Sequence, residues 1–203
     1  MQMQNEAHKT KGQQMYDGYI PPAPWACDPI KHNFTILPAA SKALCTPEQL
    51  TVAAKNAIRN THAPHTYYTD GSVDRAIPAA AAAVISTSGY KKNWRLFNHA
   101  STLQTELVAI AKALEHSGNQ QDGNTTIHTD SRGAILALSN KEPKENVYLI
   151  NAILFLALLH KRNNRQVTLN WIPSHTGISG NDEADHLAKS ALMCQITSIT
   201  LQQ

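Results

Sequence analysis

The chain has 203 residues, 42% hydrophobic and 16% charged, with 9 Gly and 10 Pro. That length fits one sizeable domain with an appendage, and the composition excludes wholesale disorder and a fibrous repeat. The 18 Lys+Arg against 15 Asp+Glu leave a formal +3. So small an excess argues against a histone-like chain that binds by displacing phosphate counterions.

Three cysteines, Cys27, Cys45 and Cys194, are odd in number and form no CxxC pair. Neither a disulfide framework nor a structural zinc site is indicated. The N-terminal stretch MQMQNEAHKTKGQQ lacks the apolar core of a secretory signal. The longest apolar run, Val147–Leu159, spans 13 residues and is broken by Asn151. A bilayer crossing needs ~17–25. These features predict a soluble, reduced, intracellular protein, cytoplasmic or nuclear, neither secreted nor partnered with a membrane.

Residues 1–60 read as a linker-like connecting segment. They carry the Pro-rich patch Tyr19–Trp25 and one helix at about 47–59. There Thr46 caps, Pro47 suits the first helical position and Gln49 completes a capping box, with Leu50, Ala54 and Ile58 on one face. Residues 61–194 form the main domain, and 195–203 a tail.

From Thr66 the pattern changes to strands followed by helices. Thr66–Thr69 is a short β-rich run that ends in the turn signal Asp70-Gly71-Ser72. Ala79–Ser86 sets five alanines, which favour helix, against Val84 and Ile85, which favour strand. The Ser88-Gly89-Tyr90 turn and the alternating Asn93–Asn98 segment favour a hairpin, so the alanines are expected in a buried strand against a closely packed helix. Ser101–Gln104 is a second capping box, opening a helix with Leu103, Leu107, Ile110, Ala111 and Leu114 at helical spacing. Thr125–Thr129 reads as a strand, followed after Asp130-Ser131 by a helix with Ile135 and Leu138. Val147–His160 is a long apolar helix and Val167–Ile172 a strand ended by Pro173. Asn181 is expected to cap a last helix that buries Ala184, Leu187, Ala188 and Ala191. The expected order is β-β-β-α-β-α-α-β-α, an α/β fold with a five-stranded mixed sheet and helices on both faces.

Four carboxylates stand where a core gains nothing from them: Asp70 and Asp130 after strands, Glu106 early in its helix, and Asp185 one turn into the last. Taken singly, each has an ordinary structural reading as a turn residue, a cap or a partner of the helix dipole. Taken together, acids sharing one site repel and raise one another's pKa unless cations neutralise them. Hard divalent ions with oxygen ligands, Mg²⁺ above all, meet that need.

Four motifs occur in order: Tyr68-Thr69-Asp70-Gly71-Ser72, Thr105-Glu106-Leu107-Val108-Ala109-Ile110, Thr129-Asp130-Ser131, and Trp171–Gly177 leading to Gly180–Asp185. Each is weak alone. As an ordered set over about Thr66 to Cys194 they resemble ribonuclease H. The style of the last motif and of Ser101–Leu107 is most similar to the ribonuclease H domains of non-LTR retrotransposon polyproteins. There the domain follows a reverse transcriptase, and residues 1–60 are similar in style to the connecting segment. No Tyr-x-Asp-Asp polymerase motif occurs, so a reverse transcriptase is expected only as a fused or separate partner.

The resemblance implies endonucleolytic hydrolysis of the RNA strand of an RNA–DNA hybrid with two Mg²⁺ ions, for which Mn²⁺ substitutes. It implies that Asp70 bridges both ions and that Asp185 completes the one activating the water. Glu106 and Asp130 then hold the ion beside the leaving 3′-oxygen. His175 matches the family's mobile histidine, in a loop that Gly177 and Gly180 allow to flex. Gly71, Ser72, Ser131 and Arg75 match positions near the RNA backbone. Lys91, Lys92 and Arg95 near the hairpin, and Lys161, Arg162 and Arg165 before the last strand, are candidate phosphate contacts. Asp182 suits the helix dipole, and His128 and His186 suit packing or solvent better than a metal.

Two departures stand out. Thr102 and Leu103 occupy places where many members carry Asn or Gln. Only Ser139–Asn146 separates two helices, leaving no room for the extra basic helix of some cellular members. Both imply a weaker grip on the hybrid.

Overall fold

The computed structural model describes residues 28–193 apart from Asp122. The Pro-rich patch, Cys27, Cys194 and the C-terminal tail lie outside the described residues. The strands are β1 (Ile30–Phe34), β2 (His65–Asp74), β3 (Ala79–Ser86), β4 (Lys91–Leu96), β5 (Thr125–Thr129) and β6 (Val167–Trp171). The helices are α1 (Pro47–Asn60), α2 (Thr102–Gly118), α3 (Arg132–Ser139), α4 (Val147–Arg162) and α5 (Ser179–Ala191), with a 3₁₀ turn at Lys42–Leu44.

One sheet runs in the order β1-β6-β5-β2-β3-β4. Its β1, β6, β5 and β2 are mutually parallel, and β3 and β4 continue antiparallel. The sheet therefore has six strands where five were expected. The extra one, Ile30–Phe34, lies in the segment read as a linker and pairs with β6 from Ile30↔Val167 to Phe34↔Trp171. Five residues with one buried position carry too little alternation to announce a strand.

Both capping boxes form. The Thr46 N–H donates to Gln49 Oε1 at 2.9 Å and the Gln49 N–H to Thr46 Oγ1 at 3.3 Å. The Ser101 N–H donates to Gln104 Oε1 at 2.8 Å and the Gln104 N–H to Ser101 Oγ at 3.2 Å. The alanine run resolves as strand, because Ala79–Ala83 are buried throughout. Ala80 and Ala82 pack with Ala109 of α2, and alternation turns Ala81 and Ala83 to the other face, where α5 crosses β2 and β3. Methyl-sized side chains let helices approach both faces closely.

Three local expectations change. The strand expected at Thr66–Thr69 continues to Asp74, because β3 keeps pairing beyond Asp70 while the parallel ladder with β5 ends at Thr69↔Thr129. The third strand starts at Lys91 and stops at Leu96, leaving Phe97 and Asn98 in a turn. The last helix begins at Ser179, so Asn181 lies inside its first turn and is buried instead of capping it. Among the described residues, no helix is long and apolar enough to cross a membrane.

Candidate active site

Asp70 sits where β2 leaves its parallel partner, and Asp130 directly follows the end of β5. Their common position is the carboxyl edge of adjacent parallel strands, where ligands gather in open α/β sheets. Glu106 reaches the same point from the first turns of α2. A close approach brings it there: a Cβ on Gly71 would stand 2.3 Å from Thr105 Oγ1 and 2.6 Å from the Glu106 backbone nitrogen. Only the missing side chain lets the start of α2 press onto β2.

Oxygens of Asp70, Glu106 and Asp130 all lie within 4.8 Å of one another. Asp70 and Glu106 are 6% and 5% exposed, and Asp130 is half-buried. Burial, and then the charges of Asp130 and Asp185, push the Asp70 carboxyl up to about 7, with Lys189 and the Gly71 N–H opposing. Burial, then Asp70 and Asp130, hold Glu106 well above the usual carboxylate range. Asp130 is also raised, chiefly by burial, while an Asn181 hydrogen bond and the charges of His175 and Lys42 pull it down.

Asp185 stands beside the triad without joining it. It is half-exposed on α5, and its Oδ2 accepts from Lys189 Nζ at 2.7 Å. Its charge still reaches Asp70 and Asp130.

The donor set fits a hard divalent ion, being oxygen-only and anionic. Glu106 Oε2 is the strongest sign, a buried carboxylate oxygen without a hydrogen-bond partner. Buried polar groups are otherwise almost always satisfied. The triad is thus positioned to hold a cation.

Neighbouring groups fix its edges. Trp171 Nε1 donates to the Asp130 carbonyl at 3.0 Å, and Asn181 Nδ2 to Asp130 Oδ2 at 3.4 Å. The Ser131 hydroxyl accepts from the Ala134 N–H at 3.3 Å and caps α3. His175 is exposed on the loop between β6 and α5, with φ +57°. Ser72 is half-buried in β2, opposite Ala81. Arg75 is exposed in the β2–β3 turn and flanks an open depression walled by Asn98, His99 and Ser101–Leu103.

Several basic candidates resolve differently. Arg95 is buried, its Nη1 donating to the Ala80 and Leu96 carbonyls and its Nη2 to Asn98 Oδ1 and the Pro78 carbonyl. A guanidinium so occupied ties two turns together and offers no phosphate contact, which corrects the expectation from sequence. Arg165 is buried too, donating from Nε to the Gly123 carbonyl at 3.0 Å and from Nη2 to the Ser117 carbonyl at 2.6 Å. With Lys161 and Arg162 it lies at the opposite edge of the sheet, about 16 Å from the acids along β5. Lys91 pairs with Glu183, and Lys92 lies over the Trp94 ring, both exposed on the edge strand β4.

His128 is fully buried and accepts at Nδ1 from Asn170 Nδ2 at 2.9 Å. Burial lowers it to about 4, so it packs as a neutral ring beside Tyr68. His186 and Asp182 are exposed on α5, Asp182 in its first turn. Reading by sequence missed Asn181 as a partner of Asp130, and Lys42 as a neighbour of the site. Nothing in their local pattern marks either.

Residues 62–193 match the family model described as RNase H. That span is well over half of the chain, and with the mixed sheet and the acid cluster it defines the class. The chain belongs to the ribonuclease H family, and its fold is RNase H-like.

Proposed function

We propose that the protein hydrolyses the RNA strand of RNA–DNA hybrids, using two divalent ions held by Asp70, Glu106 and Asp130, with Asp185 at the rim. The observation that carries this reading is the buried, unpartnered Glu106 oxygen within a three-carboxylate cluster of a ribonuclease H family member. Mg²⁺ suits the oxygen-only site, with Mn²⁺ as substitute. Ions bound there supply a water made nucleophilic near neutral pH and stabilise negative charge on the leaving 3′-oxygen.

The chain's own groups do the rest. Asp70 and Asp130 fix the site at the sheet edge. Glu106 adds its charge from the helix that Gly71 admits. The exposed imidazole of His175, whose charge is felt at Asp130, serves proton movement or product release. Gly71, Ser72, Ser131 and Arg75 surround the path of the RNA backbone. Recognition rests on the 2′-hydroxyl and on groove shape rather than base sequence. We place the chain's origin in a retrotransposon reverse-transcriptase polyprotein, on the style of its motifs, and its work in the cytoplasm or nucleus.

The test is a labelled hybrid incubated with the full chain and Mg²⁺, beside single-stranded RNA, double-stranded RNA and double-stranded DNA. The expected result is cutting of the hybrid's RNA strand alone, abolished by chelation. Binding without cleavage, with ordinary salt dependence, would make it a hybrid-binding module instead.

A further inference from the structure

The loop Pro173–Ile178 carries His175, and side chains from elsewhere in the chain bond its backbone. His175 has φ +57° and Gly177 φ +68°. For a residue with a side chain, such a conformation costs roughly 1–3 kcal/mol and persists only where the surroundings enforce it. Within the loop, Thr176 Oγ1 donates to the Pro173 carbonyl at 3.0 Å.

The surroundings come from a stretch that precedes the family match. Lys42 Nζ donates to the Ser174 carbonyl at 3.0 Å and to Ser174 Oγ at 2.6 Å. The Thr51 hydroxyl, shared with the Pro47 carbonyl, donates to the Thr176 carbonyl at 2.8 Å. These bonds grip the residues on either side of His175. Ala54 is fully buried against Ile172 and Ile178, which bracket the loop. Thr35 closes the upstream end, its N–H and Oγ1 both reaching the Trp171 carbonyl, at 3.2 and 2.5 Å. All four residues lie before residue 62, where the family match begins.

We infer that residues 35–54 form a strap that sets the His175 loop, with Lys42 and Thr51 as positioning residues for His175. The strap makes the stretch before the family domain part of the active site. This inference rests on the hybrid-cleavage reading for its catalytic consequence and on geometry alone for the loop.

The test uses the full chain with Lys42→Met, which keeps the stem and removes the ammonium, and Thr51→Val, which acts at the other side of His175. NMR order parameters of the His175 and Thr176 amides are expected to fall from about 0.85 to below about 0.6 in Lys42→Met, with β2 and β5 unchanged. Thr51→Val produces a smaller fall. Hybrid cleavage by Lys42→Met is expected to lose about tenfold in kcat with KM unchanged. Lys42 also acts by its charge on Asp130, so the double-mutant arm uses the neutral Thr51→Val. Its smaller loss in kcat is expected to vanish in a His175→Ala background, because it acts through that group alone. Unchanged order parameters would overturn the strap, and so would equal losses in kcat from Thr51→Val with and without His175. The NMR arm needs no turnover, so a wild-type chain inert on hybrids would sink the cleavage reading and still decide the strap.

Discussion

The two edges of the parallel sheet handle buried polar groups in opposite ways. At the amino edge, Ser117, Thr125, His160 and Arg165 are all buried, and each has partners. His160 Nδ1 donates to the Leu156 carbonyl at 2.9 Å, its Nε2 accepts from Ser117 Oγ at 3.2 Å, and Ser117 in turn bonds Thr125. Arg165 closes the network on two carbonyls. At the carboxyl edge, three acids crowd together, and a buried Glu106 oxygen has no partner. The first arrangement rigidifies a fold. The second costs stability unless a cation completes it, and so marks where function lies.

Breaking the carboxyl edge should cost the most activity. Asp70→Asn is expected to lower hybrid cleavage at least about 10³-fold, or roughly 4 kcal/mol in the barrier, measured in single turnover. The same change should raise the melting temperature of the metal-free protein, because it removes a buried repulsion. Breaking the amino edge should do the reverse. Arg165→Met takes a donor from the Gly123 carbonyl and one from the Ser117 carbonyl, which keeps the Gln120 N–H, and should cost about 2 kcal/mol in denaturant titration. Any remaining folded protein should cleave at nearly the wild-type rate.

Acidity separates the two kinds of buried group more finely. Asp70, near 4 unfolded and about 7 folded, keeps its proton longer in the native state. Its contribution therefore falls as pH rises from 4 to 7 in the metal-free protein. His128, at 6.5 unfolded and about 4 folded, does the opposite, and its stability is lost as pH falls through that window. That loss amounts to about 3 kcal/mol at 1.36 kcal/mol per pH unit. Glu106 and Asp130, also raised, act in the same direction as Asp70, so Asp70→Asn should tilt the metal-free stability profile upward with pH relative to wild type between pH 4.5 and 7. The smallest effect belongs to the surface. Lys91→Ala breaks an exposed ion pair with Glu183 and should change stability by less than about 0.5 kcal/mol.

The elements that repeat a pattern over many residues were legible in the chain. Helix α2 follows its capping box and spacing, and the alanine strand β3 was settled by its flanking turn. The acids were legible as a set, because each lies in a motif whose order is specific. Strand β1 was not, since five residues with one buried position show no period. The fates of Arg95 and Arg165 were hidden as well. A guanidinium in a loop or edge strand reads as a surface charge until the carbonyls that surround it come together from distant residues. The same holds for Lys42, whose bonds to Ser174 span 132 positions. Asp185 was read as a fourth member of the cluster, and the fold places it beside the other three, paired with Lys189.

The central claim is that the carboxyl-edge acids are built for a divalent cation. Calorimetric titration of Mn²⁺ into the metal-free chain near neutral pH tests it most directly. The expected result is saturable binding that Glu106→Gln weakens by at least about tenfold, while Arg165→Met leaves it unchanged. Absence of saturable binding up to millimolar ion, or binding indifferent to Glu106→Gln, would contradict it.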